Sequence, residues 1–301
     1  GCAKNLVDSE NILGLLSRNL YNIVSDINDA DVIIINTCGF IESSKKESID
    51  TIFEILNYGK KVVVTGCLVE RYYNELVKEI PEVDLFIPVR DYYRFNALLS
   101  SIFDDIDDKT LGVSEQYRIV STGDFSAYLK IGEGCSNRCS YCAIPLIRGD
   151  FYSRRPENIL AEANKLAEQG YKEIVVLQQD TTKYGIDLED KNINIVYLLK
   201  ELLKVKSFEY IRLLYLYPDE ITDELIELIS KEPRLTPYFD VPIQHSENRI
   251  LSSMNRRGDK AYLYSLFSRI RKHCPKAVLR TTVMVGFPGE TEEDFNNLIE
   301  F

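Results

Sequence analysis

Cys135, Cys139 and Cys142 share one short segment, Gly134 to Cys142, at C-x3-C-x2-C spacing. Thiolates are the soft ligands that iron-sulfur clusters take, and a loop this short can aim all three at one cluster. Three protein ligands leave the fourth iron of such a cluster open to a cofactor or substrate. A structural zinc ion, the alternative, would normally be closed by four ligands, and no fourth Cys or His lies nearby in the sequence. Three further cysteines are dispersed but sit at equivalent places. Cys38 follows the strand-like run Val32–Asn36, Cys67 follows Lys61–Thr65, and Cys2 stands where a strand ahead of Gly1 would end. In an open parallel sheet those turns lie outside the carboxyl ends of the strands, where such folds place their ligands. Each thiol alone reads as a small buried hydrophobe, whereas the three together point to a second cluster. Cys274, at the end of a helical run, is read as structural.

The elements that must position these thiols alternate. Ser9–Leu20, Lys45–Leu56 and Val69–Ile80 have helical spacing, and with the two strand runs they predict an open parallel sheet flanked by helices. A turn-rich stretch from Phe103 to Gly123, containing the acidic run Asp104–Asp108, interrupts the pattern. This gives an expected first domain at 1–110, a linker at 111–123 and a second domain at 124–301. In the second, strands are expected at Tyr128–Ile131, Glu173–Leu177, Tyr210–Tyr215, Tyr238–Val241 and Val278–Val285. Helices are expected at Pro156–Gln169, Ile195–Leu203, Thr222–Ser230, Lys260–Lys272 and Glu292–Glu300. At least five successive βα units imply a barrel or part of one, with its active face at the strand carboxyl ends.

Composition narrows the function. Against 36 Lys and Arg stand 47 Asp and Glu, a net charge of −11, which disfavours broad attraction to nucleic-acid backbone or anionic membrane and accommodates a basic partner. Seven cysteines, an odd number, fit metal or catalytic use better than a disulfide framework. The longest apolar runs fall far short of the ~20 residues of a spanning helix, and no secretory signal opens the chain, so a cytoplasmic location is expected. The chain opens on Gly-Cys and stops at Phe301 inside an amphipathic run, so both ends are expected to be trimmed.

Polar groups at strand carboxyl ends are candidate cofactor contacts. Gln179 lies in Leu177–Gly185 and Gln244 in Val241–Ser246, although loop capping by the same segments is an equal alternative. His245 is expected to make a rim hydrogen bond rather than to catalyse. Gly286 in Val285–Glu290 can bring backbone close to a ligand, or serve a plain strand-to-helix turn. Arg148, Arg154 and Arg155 are candidates for binding a carboxylate or lining an entry path, with simple solvation as the alternative.

The C-x3-C-x2-C segment on the first βα loop of a partial barrel resembles the radical S-adenosylmethionine (SAM) superfamily. Two three-cysteine sets in this domain order resemble its methylthiotransferases. The resemblance is carried by Gly1–Glu10, Asn36–Phe40, Thr65–Cys67 and the loop through Arg148 and Gly149, and extends over essentially the whole chain. It implies an α/β protein with a flavodoxin-like parallel-sheet domain followed by a partial TIM-like radical SAM barrel. It also implies two 4Fe-4S clusters, one on Cys2, Cys38 and Cys67 and one on Cys135, Cys139 and Cys142, with SAM chelated by the open iron of the latter. Reductive cleavage of SAM would yield a 5′-deoxyadenosyl radical that takes hydrogen from an unactivated carbon. Another SAM would methylate a sulfur species at the first cluster, and the methylthio group would be delivered to that carbon. Tyr141 would contact the adenine, packing at the barrel rim being its alternative; no residue is assigned a catalytic role.

Gly1–Glu10, Gly39–Glu42, Gln179–Gly185 and Leu213–Pro218 resemble the branch that modifies the β-carbon of an aspartate in a small-subunit ribosomal protein. The branch that modifies adenosine in tRNA is the alternative, and a non-catalytic two-cluster electron carrier would need neither open irons nor a large barrel. The implied partners are the ribosomal protein or subunit, a reductant such as flavodoxin or ferredoxin, and a sulfur donor. The C-terminal TRAM domain usual in the family has no counterpart before Phe301.

Overall fold

The computed structural model describes residues 1–19, 21–103 and 112–301. The acidic run at 104–108 and Leu20, the last residue of the first expected helix, lie outside the described residues. The chain divides into two compact units, one of Gly1–Ser121 with Leu146–Arg148, the other of Thr122–Pro145 with Gly149–Phe301.

In the first unit the chain runs through α1 (Ala3–Arg18), β1 (Val32–Thr37), α2 (Glu42–Leu56), β2 (Lys61–Gly66), α3 (Cys67–Glu79), β3 (Leu85–Pro88) and α4 (Phe95–Ser100). The three strands form one parallel sheet in the order β1-β2-β3, with Thr37 opposite Gly66 and Thr65 opposite Ile87. β2 is central and is covered on both faces. Val62 and Val64 pack with Ile52, Leu68 and Leu76 on one side, while Val63 packs with Ile12, Leu15, Phe95 and Leu99 on the other. This explains why β2 reads as an unbroken apolar run rather than an alternating one. Each of these valines is 0% exposed, and full burial of one stabilises the unit by about 1.5–3 kcal/mol. α1 begins earlier than its apolar spacing predicts, because its first turn uses polar side chains to bond the end of β1. Residues 117–121 bind the same helix: Glu10 pairs with Arg118 at 2.7 Å and accepts from the backbone and hydroxyl of Ser121.

The second unit contains β4 (Ser126–Lys130), β5 (Gly132–Glu133), the start of α5 (Ile144–Arg148), β6 (Tyr152–Ser153), α6 (Pro156–Glu168), β7 (Glu173–Leu177), α7 (Ile195–Leu202) and β8 (Tyr210–Leu213). α8 (Asp223–Lys231), β9 (Tyr238–Asp240), α9 (Asn248–Ser253), α10 (Lys260–His273), β10 (Val278–Arg280) and α11 (Glu292–Glu300) complete it. β4, β7 and β8 form a parallel sheet, and β9 and β10 a parallel pair. A bridge from Ile211 to Leu235, and a bond from the Leu216 N–H to the Asp240 carbonyl, carry the array from β8 toward β9. These parallel strands and their helices form an open partial barrel.

Four expected strands end early, Tyr128–Ile131 and Tyr238–Val241 by one residue and Tyr210–Tyr215 and Val278–Val285 by more. Tyr215 adopts φ 61°, which ends the extended run, and its N–H turns to the Asp240 carboxylate at 3.1 Å. Beyond Arg280 only the single bridge between Gln244 and Val283 persists, and Val283 and Val285 are exposed rather than alternately buried.

Candidate metal centres

β5 and β6 pair antiparallel and frame the cysteine loop of the second unit. Gly134, just before Cys135, has φ 69°, and a Cβ there would lie 2.0 Å from the Asp150 carbonyl oxygen, so only glycine fits. The loop is bonded along its length. The Cys135 N–H donates to Gly149 O at 3.1 Å, Cys142 N–H to Cys139 O at 3.0 Å, and Ser140 N–H to Met254 O at 3.0 Å. Asn137, between the first two cysteines, donates to the Asp180 carboxylate at 2.7 Å and accepts from Lys183, which is itself 3.8 Å from Asp180. Burial raises the carboxyl of Asp180 above its ordinary 3.8, opposed by the Thr182 hydroxyl and by Asn137. Burial likewise pushes the Cys135 thiol up; the Asn137 N–H opposes this, and the nearby Asp180 and Cys139 add to it.

Tyr141 sits half-buried with its hydroxyl accepting from Arg256 at 3.3 Å, and burial raises its phenol. The same guanidinium nitrogen is 3.9 Å from the Cys139 sulfur, the other donates to Pro242 O at 2.6 Å, and the group lies 4.3 Å over the Tyr217 ring. Gln179 donates its amide to Glu133, which Lys130 holds at 3.0 Å. This leaves Gln179 Oε1 buried with no partner, and Ser246 Oγ, at the other strand-end segment, is in the same condition. Buried polar atoms are nearly always satisfied, so these two fit a polar ligand at the strand ends. Gln244 lies at φ 70° with its backbone bonded to Thr282 and Met284, and Gly286, at φ 73°, faces open space. His245 is fully buried; Nδ1 accepts from the Glu247 N–H at 3.0 Å and Nε2 lies 3.3 Å from Glu290. The alternative of simple solvation fails for Arg154, which pairs with Glu162 at 2.7 Å; Arg155 is exposed at the start of α6.

In the first unit, Cys38 and Cys67 directly follow the paired residues Thr37 and Gly66, so the two turns are neighbours at the carboxyl edge of the sheet. The Cys38 N–H is held by the Ser48 hydroxyl at 3.0 Å. Cys2 occupies the N-cap of α1, and Asn5 in the first turn donates to Asn36 at 2.8 Å and to the Thr37 carbonyl at 3.3 Å. Asn36 in return donates to Asn5 O and to Ser9 at 2.8 and 2.7 Å. Spacing of three puts Cys2, Asn5 and Asp8 along one face of α1. Asp8 pairs with Arg148 at 2.5 Å, and the other arm of that guanidinium lies 3.0 Å from the Cys67 sulfur. Arg148 is thus buried and bound rather than solvated. The Cys67 thiol is raised by burial, with Arg148 opposing and Asp8 and Cys2 adding.

All seven cysteines are free thiols. Among the described residues no three Cys, His, Asp or Glu side chains gather around a point suitable for a single ion. A four-iron cluster is ligated at separate corners by thiolates, so two sets of three free thiols, one on a single loop and one on the turns after β1 and β2 with the N-cap of α1, fit that group in their chemistry. Cys274 is buried at the end of α10, away from any strand carboxyl end. The roles of Asn137, Glu133, Arg256, Asp8 and Asn5 are not marked by local sequence pattern; apart from Lys130, three residues from Glu133, the bonding partners named above for their side chains lie more than ten residues away in the chain.

An open parallel βα array with a three-thiol loop after its first strand defines a radical SAM protein, and residues 129–301 match the Radical SAM superfamily. Residues 1–88 match a second family, described as Uncharacterized protein family UPF0004. Over 305 residues the chain is 48% identical to the ribosomal protein uS12 methylthiotransferase RimO of Alkaliphilus oremlandii (strain OhILAs), covering 100% of this chain and 69% of that protein. It is also 48% identical over 312 residues to the RimO of Clostridioides difficile (strain 630), covering 100% and 70%. The chain belongs to the RimO family of radical SAM methylthiotransferases. Among solved structures, the radical SAM methyltransferase TsrM of Kitasatospora setae superposes with a TM-score of 0.70 at 15% identity, covering 100% of this chain and 68% of that one. The cobalamin-dependent SAM radical enzyme OxsB gives 0.60 at 12% identity, covering 97% and 45%. At these identities the likeness shows the fold alone.

Proposed function

We propose that this chain attaches a methylthio group to the β-carbon of an aspartate in ribosomal protein uS12. The observation that carries the reading is 48% identity over the whole chain to proteins named as ribosomal protein uS12 methylthiotransferases; the aspartate β-carbon is what the sequence resemblance implies. Cys135, Cys139 and Cys142 would hold the cluster that meets SAM, and Cys2, Cys38 and Cys67 the other. When bound, these groups would provide the site of one-electron cleavage of SAM, with the electron coming from the reductant, and the site that holds the donor's sulfur for transfer.

The chain's own residues hold, orient and enclose. Asp180 and Lys183 brace the cysteine loop through Asn137. Arg256 fixes the phenol of Tyr141, so the ring is oriented before an adenine arrives. The pairing of Lys130 with Glu133 turns Gln179 so that Oε1 remains for a donor on the ligand, and Ser246 offers a second polar atom. Gln244 and Gly286 contribute backbone at positive φ beside the same strand ends. A net charge of −11 suits a basic ribosomal protein better than a phosphate backbone. No helix among the described residues is long and apolar enough to cross a membrane, in keeping with work in the cytoplasm beside a flavodoxin- or ferredoxin-type reductant and a sulfur donor.

The test offers anaerobically reconstituted full-length protein, with reductant, SAM and sulfide, isolated small ribosomal subunits in one reaction and unmodified tRNA in another. A methylthio mass increase on a uS12 aspartate is expected. Modification of tRNA alone would reject the reading in favour of the adenosine-modifying branch.

A further inference from the structure

We propose that Arg148, held by Asp8, is a positioning residue that sets the reduction potential of the cluster on Cys2, Cys38 and Cys67 by donating a hydrogen bond to the Cys67 sulfur. The inference rests on the reading of those three cysteines as cluster ligands. The guanidinium is planar and divides its two arms, Nη1 to Asp8 Oδ2 at 2.5 Å and Nη2 to Cys67 Sγ at 3.0 Å. The side chains of Arg148 and Asp8 are 2% and 4% exposed, so water neither screens the pair nor replaces it. Asp8 lies on the face of α1 that begins with Cys2, so the brace belongs to the edge that carries the thiols.

A salt bridge alone would need only one arm of Arg148. The second arm is spent on a sulfur, and an N–H donor to a cluster thiolate stabilises the reduced, more negative state. Asp8 opposes that effect with its own charge while fixing the geometry. Removing the cation and removing the anion therefore shift the potential in opposite directions, which a purely structural brace would not do.

The experiment uses the full chain carrying Cys135→Ala, Cys139→Ala and Cys142→Ala as parent, so that only this cluster remains. Iron and sulfide content, circular dichroism and an anaerobic redox titration followed by electron paramagnetic resonance are measured for the parent, Arg148→Gln and Asp8→Asn. The expected result is retained cluster in all three. Arg148→Gln should be at least tenfold harder to reduce, about 59 mV lower for a one-electron couple, and Asp8→Asn easier to reduce. Asp8→Asn keeps the donor, so it remains informative if Arg148→Gln fails to hold iron. Potentials within threefold of the parent in reduction equilibrium, or shifts of the same sign, would overturn the inference while leaving the second cluster standing. A parent that binds no cluster would overturn both.

Discussion

Gly66 ends β2 immediately before Cys67, with φ 98° and ψ −164°, a region essentially reserved for glycine. A Cβ there would lie 2.4 Å from both Asn36 Oδ1 and Thr37 O and 2.7 Å from Thr37 N, all in β1. Gly66→Ala therefore incurs about 1–3 kcal/mol of backbone strain. It also forces β1 and β2 apart by the order of 1 Å, an overpacking penalty of roughly 1–3 kcal/mol more. Gly59 supplies the control: its φ is also positive, 63°, but nothing lies within 4 Å of its Cβ position. Gly59→Ala should thus lose only about 1–2 kcal/mol. Denaturant and thermal unfolding of both variants, followed by circular dichroism, would be paired with iron analysis after reconstitution. Gly66→Ala should be the less stable by at least about 1 kcal/mol, a few degrees in midpoint. It should also lose iron from the Cys2, Cys38 and Cys67 site, because Asn36 and Thr37 lead straight to Cys38. Equal stability and equal iron in the two variants would refute the close approach at Gly66.

Anaerobically reconstituted protein should bind about eight irons as two four-iron clusters. Replacing Cys135, Cys139 and Cys142 by Ala should remove one cluster and abolish reductive SAM cleavage, whereas replacing Cys2, Cys38 and Cys67 should remove the other and leave that cleavage detectable; full iron and an unchanged Mössbauer spectrum in the second variant would contradict the assignment. At α11 the Thr291 hydroxyl and then its N–H lower the Asp294 carboxyl below 3.8, with Arg249 assisting. Its ionised form is favoured by folding, so this contribution is fully present above pH 3.8 and lost as the pH falls through the lower folded value. Carbon-13 titration should show Asp294 below 3.8 and moving up in Thr291→Ala; an unmoved midpoint would exclude the capping box as the cause.

Cys135, Cys139 and Cys142 were legible because one loop carries all three, and Cys38 and Cys67 because strand ends can be read from apolar runs. The residues that brace them were not. Asn137 meets Asp180 across 43 positions, and Arg256 meets Cys139 across 117, distances over which local pattern carries no information. β3 is four residues long and the β5–β6 hairpin two residues a side, too short for periodicity to register. Strand ends failed where a single residue left the extended region, as Tyr215 does at φ 61°. The charge of Arg148 is visible in the sequence, but its burial against Asp8 and Cys67 depends on chain segments 140 and 81 residues away.

The reciprocal amides of Asn5 and Asn36 bear on how the protein acquires metal. Cys2 and Cys38 are 36 residues apart, and drawing two such thiols to one place from a flexible chain would charge the loop-closure entropy to cluster binding. Here the two asparagines close that loop by bonding each other's side chain and backbone, so part of the closure entropy is met by protein hydrogen bonds rather than by cluster ligation.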